Sequence, residues 1–84
     1  MMDHVDAAEE ESARIEQALA EVRRKFEFAG GPSFTRNDRA ISVEQGSRYA
    51  IGNWETIWSR AMLADTLDQF WMSLSGDRMV VLTG

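Results

Sequence analysis

The stretch NWETIWSRAMLADTLDQFWMSL, Asn53 to Leu74, decides the fold. It carries all three tryptophans, Trp54, Trp58 and Trp71, together with Ile57, Met62, Leu63, Leu67, Phe70, Met72 and Leu74. At 100° per residue, Trp54, Ile57, Ala61, Ala64, Leu67, Trp71 and Leu74 form a broad apolar band, and Glu55, Ser59, Thr66, Gln69 and Ser73 fall on the other side. Asn53 supplies a start signal, because its side-chain oxygen can accept from an orphan amide of the first turn. Ser75-Gly76 supplies a stop, with Gly76 free to turn left-handed. The spacing predicts one long core helix over 53–75.

Upstream of it, from Ser33 to Ile51, the period changes from 3.6 to 2. Three short strands are expected, about Ser33–Arg36, Arg39–Val43 and Ser47–Ile51, forming an antiparallel meander over 33–51. A two-residue turn at Asn37-Asp38 places Phe34 opposite Ile41 and Arg36 opposite Arg39. A three-residue turn at Glu44-Gln45-Gly46, with glycine where a left-handed residue is needed, places Ile41 opposite Tyr49 and keeps Val43 and Ile51 on the same face. Downstream, Ser75-Gly76-Asp77 turns the chain into RMVVLT, read as a strand over 78–83 that is apolar on both sides. The favoured sheet order is third, second, first, fourth strand, with the fourth parallel to the first.

At the other end, Asp3 to about Phe26 reads as a helix within an acidic segment 1–28. It is rich in Ala, Glu, Leu and Arg and holds neither Gly nor Pro. Val5, Ala8, Ser12, Ile15, Leu19, Val22 and Phe26 are spaced 3, 4, 3, 4, 3, 4, as in a heptad seam. Acid lies at its start and base at its end (Arg23, Arg24, Lys25), which complements the helix dipole. Glu10–Arg14 and Glu21–Lys25 are spaced as i,i+4 pairs. The whole is expected to be an α+β single domain, 1–84, in the order α-β-β-β-α-β. Both helices are expected on one face of a small sheet.

Composition narrows the function classes. With 84 residues there is one domain, and a chain this short buries only ~60–65% of its unfolded surface, so large aromatic side chains matter disproportionately. A hydrophobic content of 44% suffices for folding, which argues against disorder. There is no cysteine, hence no disulfide and no thiolate site, which fits a cytoplasmic protein. No run of ~18 apolar residues points to a membrane span, and MMDHVDAAEEE does not read as a secretion signal. The net charge of −5 disfavours direct nucleic-acid binding and favours basic partners.

Catalytic equipment is not apparent. His4 is the one histidine, so a Ser-His-Asp, Cys-His or multi-histidine metal site has no second member within the chain. Asp65/Asp68 and Glu9/Glu10/Glu11 have the spacing of ordinary solvated helix faces, and Gly30-Gly31 lacks the register of a phosphate loop. The expectation is a non-enzymatic protein with no cofactor and no metal.

Candidate contact residues are of three kinds. Asp6, Glu9, Glu10, Glu16 and Glu21 form an acidic row along the first helix, able to imitate a phosphate backbone in a basic channel. Arg36 and Arg39, read as cross-strand neighbours, either share a carboxylate of this chain or offer an anion site. Trp54, in the first turn of the tryptophan-rich helix, is a candidate interface anchor. Small size, strong acidity and a helix-then-hairpin layout resemble inhibitors encoded by phages and mobile elements, some anti-CRISPR proteins among them. That resemblance is one of overall type, and it implies an inhibitor or regulator that binds the nucleic-acid-binding surface of a protein partner. The alternative is a homodimeric structural or assembly subunit joined through the heptad seam.

Overall fold

The computed structural model describes residues 3–27 and 31–82, with side chains for 9–27 and 31–80. The protein is α+β. Its elements are α1 (Asp3–Lys25), β1 (Ser33–Asn37), β2 (Ala40–Gln45), β3 (Arg48–Asn53), α2 (Trp54–Leu63), α3 (Leu67–Gly76) and β4 (Val80–Leu82). The strands form one antiparallel sheet in the order β1-β2-β3-β4. This corrects the expected order: β4 pairs with β3, antiparallel, rather than with β1.

The tryptophan-rich stretch is two helices. Asn53 caps the first as expected, its side chain accepting from the Glu55 amide at 2.9 Å. After Leu63 the backbone turns extended at Ala64, and Thr66 caps the second helix by accepting from the Gln69 amide. Gln69 reaches back and accepts from the Asp65 amide at 2.7 Å. Thr66-Leu-Asp-Gln69 is thus close to a capping box. α3 ends differently from the expectation too. Gly76 stays helical, and Arg78 takes the left-handed conformation, φ 59°. Met79 N–H then bonds Leu74 O and Arg78 N–H bonds Ser75 O, both at 3.0 Å, which is a Schellman closure.

Both hairpin registers are corrected. The first loop is Asp38-Arg39, which puts Phe34 opposite Val43 and Arg36 opposite Ile41. The second is a two-residue loop, Gly46-Ser47, with Gly46 at φ 62°. Val43 therefore faces Ala50 and Ile41 faces Gly52, and Tyr49 and Ile51 move to the outer face. The reason lies in α2, which starts directly after β3 and folds back over its inner end. A Cβ on Gly52 would meet the Met79 sulfur at 2.9 Å and Ile57 Cδ1 at 3.4 Å. Small residues are needed inside, so the bulky ones face out.

The inner sheet face (Phe34, Ile41, Val43, Ala50) packs in one core with Leu19, Val22 and Phe26, with Ile57 and Ala61 of α2, and with Phe70, Trp71 and Leu74 of α3. The helices thus lie on one face of the sheet. Phe26 stacks on Phe34 and Phe70, with ring centroids 6.4 and 5.4 Å away, joining α1, β1 and α3. Trp71, Ile41 and Val43 are buried, whereas Trp58, Leu67 and Val80 are partly buried against the core's edge. Tyr49 lies half-buried on the other face.

Candidate interaction surface

α1 is a helix because nothing in it opposes one, and its apolar stripe fixes how it docks. Ile15, Ala18, Leu19, Val22 and Phe26 are all buried, the seam members at 0–3% exposure. From Ile15 onward the heptad seam is therefore occupied within the chain. Val5 and Ala8, its first members, lie outside the described side chains.

On one flank of the stripe, α1 meets β1. Arg36 donates from Nη1 to Glu16 Oε2 at 2.7 Å and to Ser12 Oγ at 3.1 Å, and from Nε to the Asp38 carbonyl at 2.9 Å. Arg23 donates to the Phe34 carbonyl at 2.8 Å, covering an edge acceptor of β1. On the other flank, α1 meets α2. Trp58 Nε1 donates to Glu21 Oε1 at 2.9 Å. Lys25 Nζ donates to the carbonyls of Ala61, Met62 and Ala64 at 2.8, 3.0 and 2.6 Å. These groups close α2, where the last carbonyls have no intrahelical partner. Arg39, in the first hairpin loop, pairs with Glu11 at 3.1 Å, and its carbonyl accepts from Trp54 N–H. The order Glu11/Trp54, Glu21/Trp58, Lys25/Ala64 means that α1 and α2 run side by side in the same direction. Lys25 then offsets the negative end of α2 that this parallel arrangement brings beside it.

These contacts redistribute the sequence candidates. Arg36 and Arg39 are not opposite each other, so the anion site read from their adjacency has no geometric basis. Each is matched by its own carboxylate of α1. Glu16 and Glu21 are likewise engaged inside the molecule. The i,i+4 pairs expected within α1 are not among the ion pairs of the described residues, which all join separate segments: Arg36–Glu16, Arg39–Glu11 and Arg60–Asp77. Trp54 is half-buried at the core edge. Glu9 and Glu10 are exposed. Asp6 falls in α1, with its side chain outside the described residues.

The segregation of charge is sharper than the acidic row suggested. Of fourteen acids and nine bases, the five acids Asp3, Asp6, Glu9, Glu10 and Glu11 precede Arg14, and no Lys or Arg does. The remaining nine acids and nine bases cancel. The whole net charge of −5 thus belongs to the first half of α1. Contiguous charge of one sign projects a field that a mixed surface does not. The signal was available in the sequence once the charge was counted cumulatively along the chain.

Among the described residues no group of three or more His, Cys, Asp or Glu is placed to hold a metal ion, and no helix is long and apolar enough to cross a membrane. Comparisons with protein-family models, curated proteins and solved structures gave no match.

Proposed function

We propose that this chain is a non-enzymatic protein-binding module, an inhibitor or regulator that docks the acidic first half of α1 on a basic, nucleic-acid-binding surface of a protein partner. The observation that supports this reading is the confinement of the net charge to the residues before Arg14. The far half of α1 is fixed to the body by its apolar stripe, Lys25 and Arg36. The four carboxylates not taken by Arg39, namely Asp3, Asp6, Glu9 and Glu10, place one charge per ~3 Å of helix axis, from a rise of ~1.5 Å per residue. DNA carries one per ~1.7 Å as a duplex and one per ~3.4 Å along a single strand. The charge density of the helix lies between the two, which suits a channel built for a phosphate backbone. Exposed Glu9 and Glu10 are the contact residues of first choice. Glu16 and Glu21 act through the fold instead, holding Arg36 and Trp58.

The test uses immobilised wild-type chain and a Glu9→Lys/Glu10→Lys variant, each challenged with nuclease-treated lysate and eluted with duplex DNA. A basic protein should be retained by the wild type, released by DNA and by moderate salt, and lost by the variant, whose melting temperature should be unchanged. A partner that ignores DNA, salt and both reversals would refute the reading.

A further inference from the structure

The sheet has two edges, and they are treated differently. At β1 the Phe34 carbonyl is covered by Arg23 from α1. At β4 the phase of the ladder leaves the edge without a hydrogen-bond partner among the described residues. Trp54 N–H donates to Arg39 O, so odd residues of β2 bond even residues of β3, and Tyr49 turns its backbone groups toward Val81. Val80 and Leu82 then direct their own N–H and C=O groups away from the sheet. Beside this edge lies a groove of about 470 Å³, lined by Arg48, Asp68, Trp71, Met72, Ser75 and Val80. Its helical wall is a single stripe of α3: Asp68, Trp71, Met72 and Ser75, spaced i, i+3, i+4, i+7.

Three details of the groove point to an occupant. Met72 is 73% exposed, an unusual state for a large apolar side chain. Trp71 is held in place by its Nε1 bond to Gln45 Oε1 at 2.7 Å. Arg48 sits over the Trp71 ring, 5.7 Å from its centroid, and has no carboxylate at ion-pair distance among the described residues. Arg36, Arg39 and Arg60 each have one.

We propose that the α3–β4 groove is a strand-addition site for an extended segment of a partner protein. The segment sets an apolar side chain against Met72 and Val80 and, two residues along, a carboxylate on Arg48. An open edge supplies the backbone pairing, and the pocket beside it reads alternate side chains. A guanidinium already oriented by an indole pairs with a carboxylate in fixed geometry. Asp68, on the opposite wall, disfavours a second acid in the same segment. The site shares no residue with α1, so it stands apart from the acidic surface and can fail or hold independently of it.

The experiment is an array of acetylated seven-residue peptides with Thr at positions 2, 4 and 6 to favour extension, and all twenty residues in turn at positions 3 and 5. The whole chain, labelled, is the probe. Selection of Leu, Ile, Met or Phe at position 3 and of Asp or Glu at position 5 is expected. N-methylation of the residue-5 amide, which removes a strand hydrogen bond, should weaken the best peptide by about tenfold or more. Arg48→Glu should convert the position-5 preference to Lys or Arg, and Met72→Glu should erase the apolar preference at position 3. Circular dichroism checks that both variants are folded. Absence of any bound peptide, or an acidic preference that survives Arg48→Glu, would overturn the proposal.

Discussion

Lys25→Met is the most informative single change for the fold. It keeps most of the aliphatic stem and removes the ammonium, which donates to Ala61, Met62 and Ala64 and lies 5.7 Å from the Phe26 ring centroid. Two of those acceptors, Ala61 O and Met62 O, lie in the last turn of α2, and the Ala64 amide already satisfies Arg60 O. A hydrogen bond from a charged donor contributes roughly 1.5–3 kcal/mol at most, and Lys25 is only half-buried. One ammonium shared by three carbonyls should therefore stabilise the fold by about 2–3 kcal/mol. A domain of this size has ~4–13 kcal/mol in total, so the midpoint should fall by ~10–20 °C in a thermal melt. Hydrogen exchange should accelerate first in the last turn of α2 and at the cap of α3. Arg24→Met, at an exposed position one residue earlier, is the control and should move the melt little. Equal effects of the two changes would show that Lys25 acts as general surface charge, and the capping argument would fall.

Other consequences are separable from that one. Trp71→Ala removes a side chain that is 3% exposed and anchored to Gln45, and should cost ~3–5 kcal/mol by chemical denaturation. An unchanged denaturation midpoint would mean that α3 is not part of the core. Arg36→Met should destabilise by ~1–2 kcal/mol, since it breaks bonds to Glu16, Ser12 and Asp38, while Arg39→Met, whose guanidinium pairs with Glu11 at the surface, should cost under ~1 kcal/mol. Gly76→Ala should raise stability by ~0.5–1 kcal/mol, because Gly76 is helical and a Cβ there meets nothing within 4 Å. A loss instead of a gain would place the left-handed residue at Gly76 rather than at Arg78.

The sequence was most readable where one local signal had no competitor. The α1 stripe from Ile15 to Phe26, the Asn53 cap and the existence of a meander over 33–51 all follow from residues a few positions apart. The break between α2 and α3 was hidden because the apolar band runs through it: Ala61, Ala64 and Leu67 keep a helical period across a turn that is extended at Ala64. Thr66-Leu-Asp-Gln69 carried the contrary signal, and a capping box inside a periodic run marks a second start. The hairpin registers failed for a different reason. Facing was assigned by bulk, which favoured Tyr49 and Ile51, whereas the inner positions near α2 are filled by Ala50 and Gly52. That requirement comes from Met79 and Ile57 closing on β3, contacts between segments that no local pattern encodes. The Arg36–Arg39 adjacency went with the register. Lys25 illustrates the same limit, since its place at the end of α1 suggested a role in its own helix and it closes α2 instead.

The ion pairs show which acids of α1 remain free among the described residues. Arg36 and Arg39 both come from the first hairpin, and both are taken by carboxylates of α1, Glu16 and Glu11. The hairpin thereby contributes no free positive patch beside α1, and α1 is held at its middle by charge as well as by Ile15 and Leu19. Glu9 and Glu10, immediately before Glu11 in the chain, stand outside that clamp and are exposed. A field set by such residues acts on encounter, over a Debye length of ~8 Å at physiological salt, and disappears at high salt. The groove between α3 and β4 works at contact range, through an apolar side chain and one guanidinium, and its selectivity should persist when salt has removed the first effect. A partner engaging both would lose association rate in salt while keeping its peptide preference. Measuring the two together, on wild type and on Arg48→Glu, separates steering by α1 from recognition at the sheet edge.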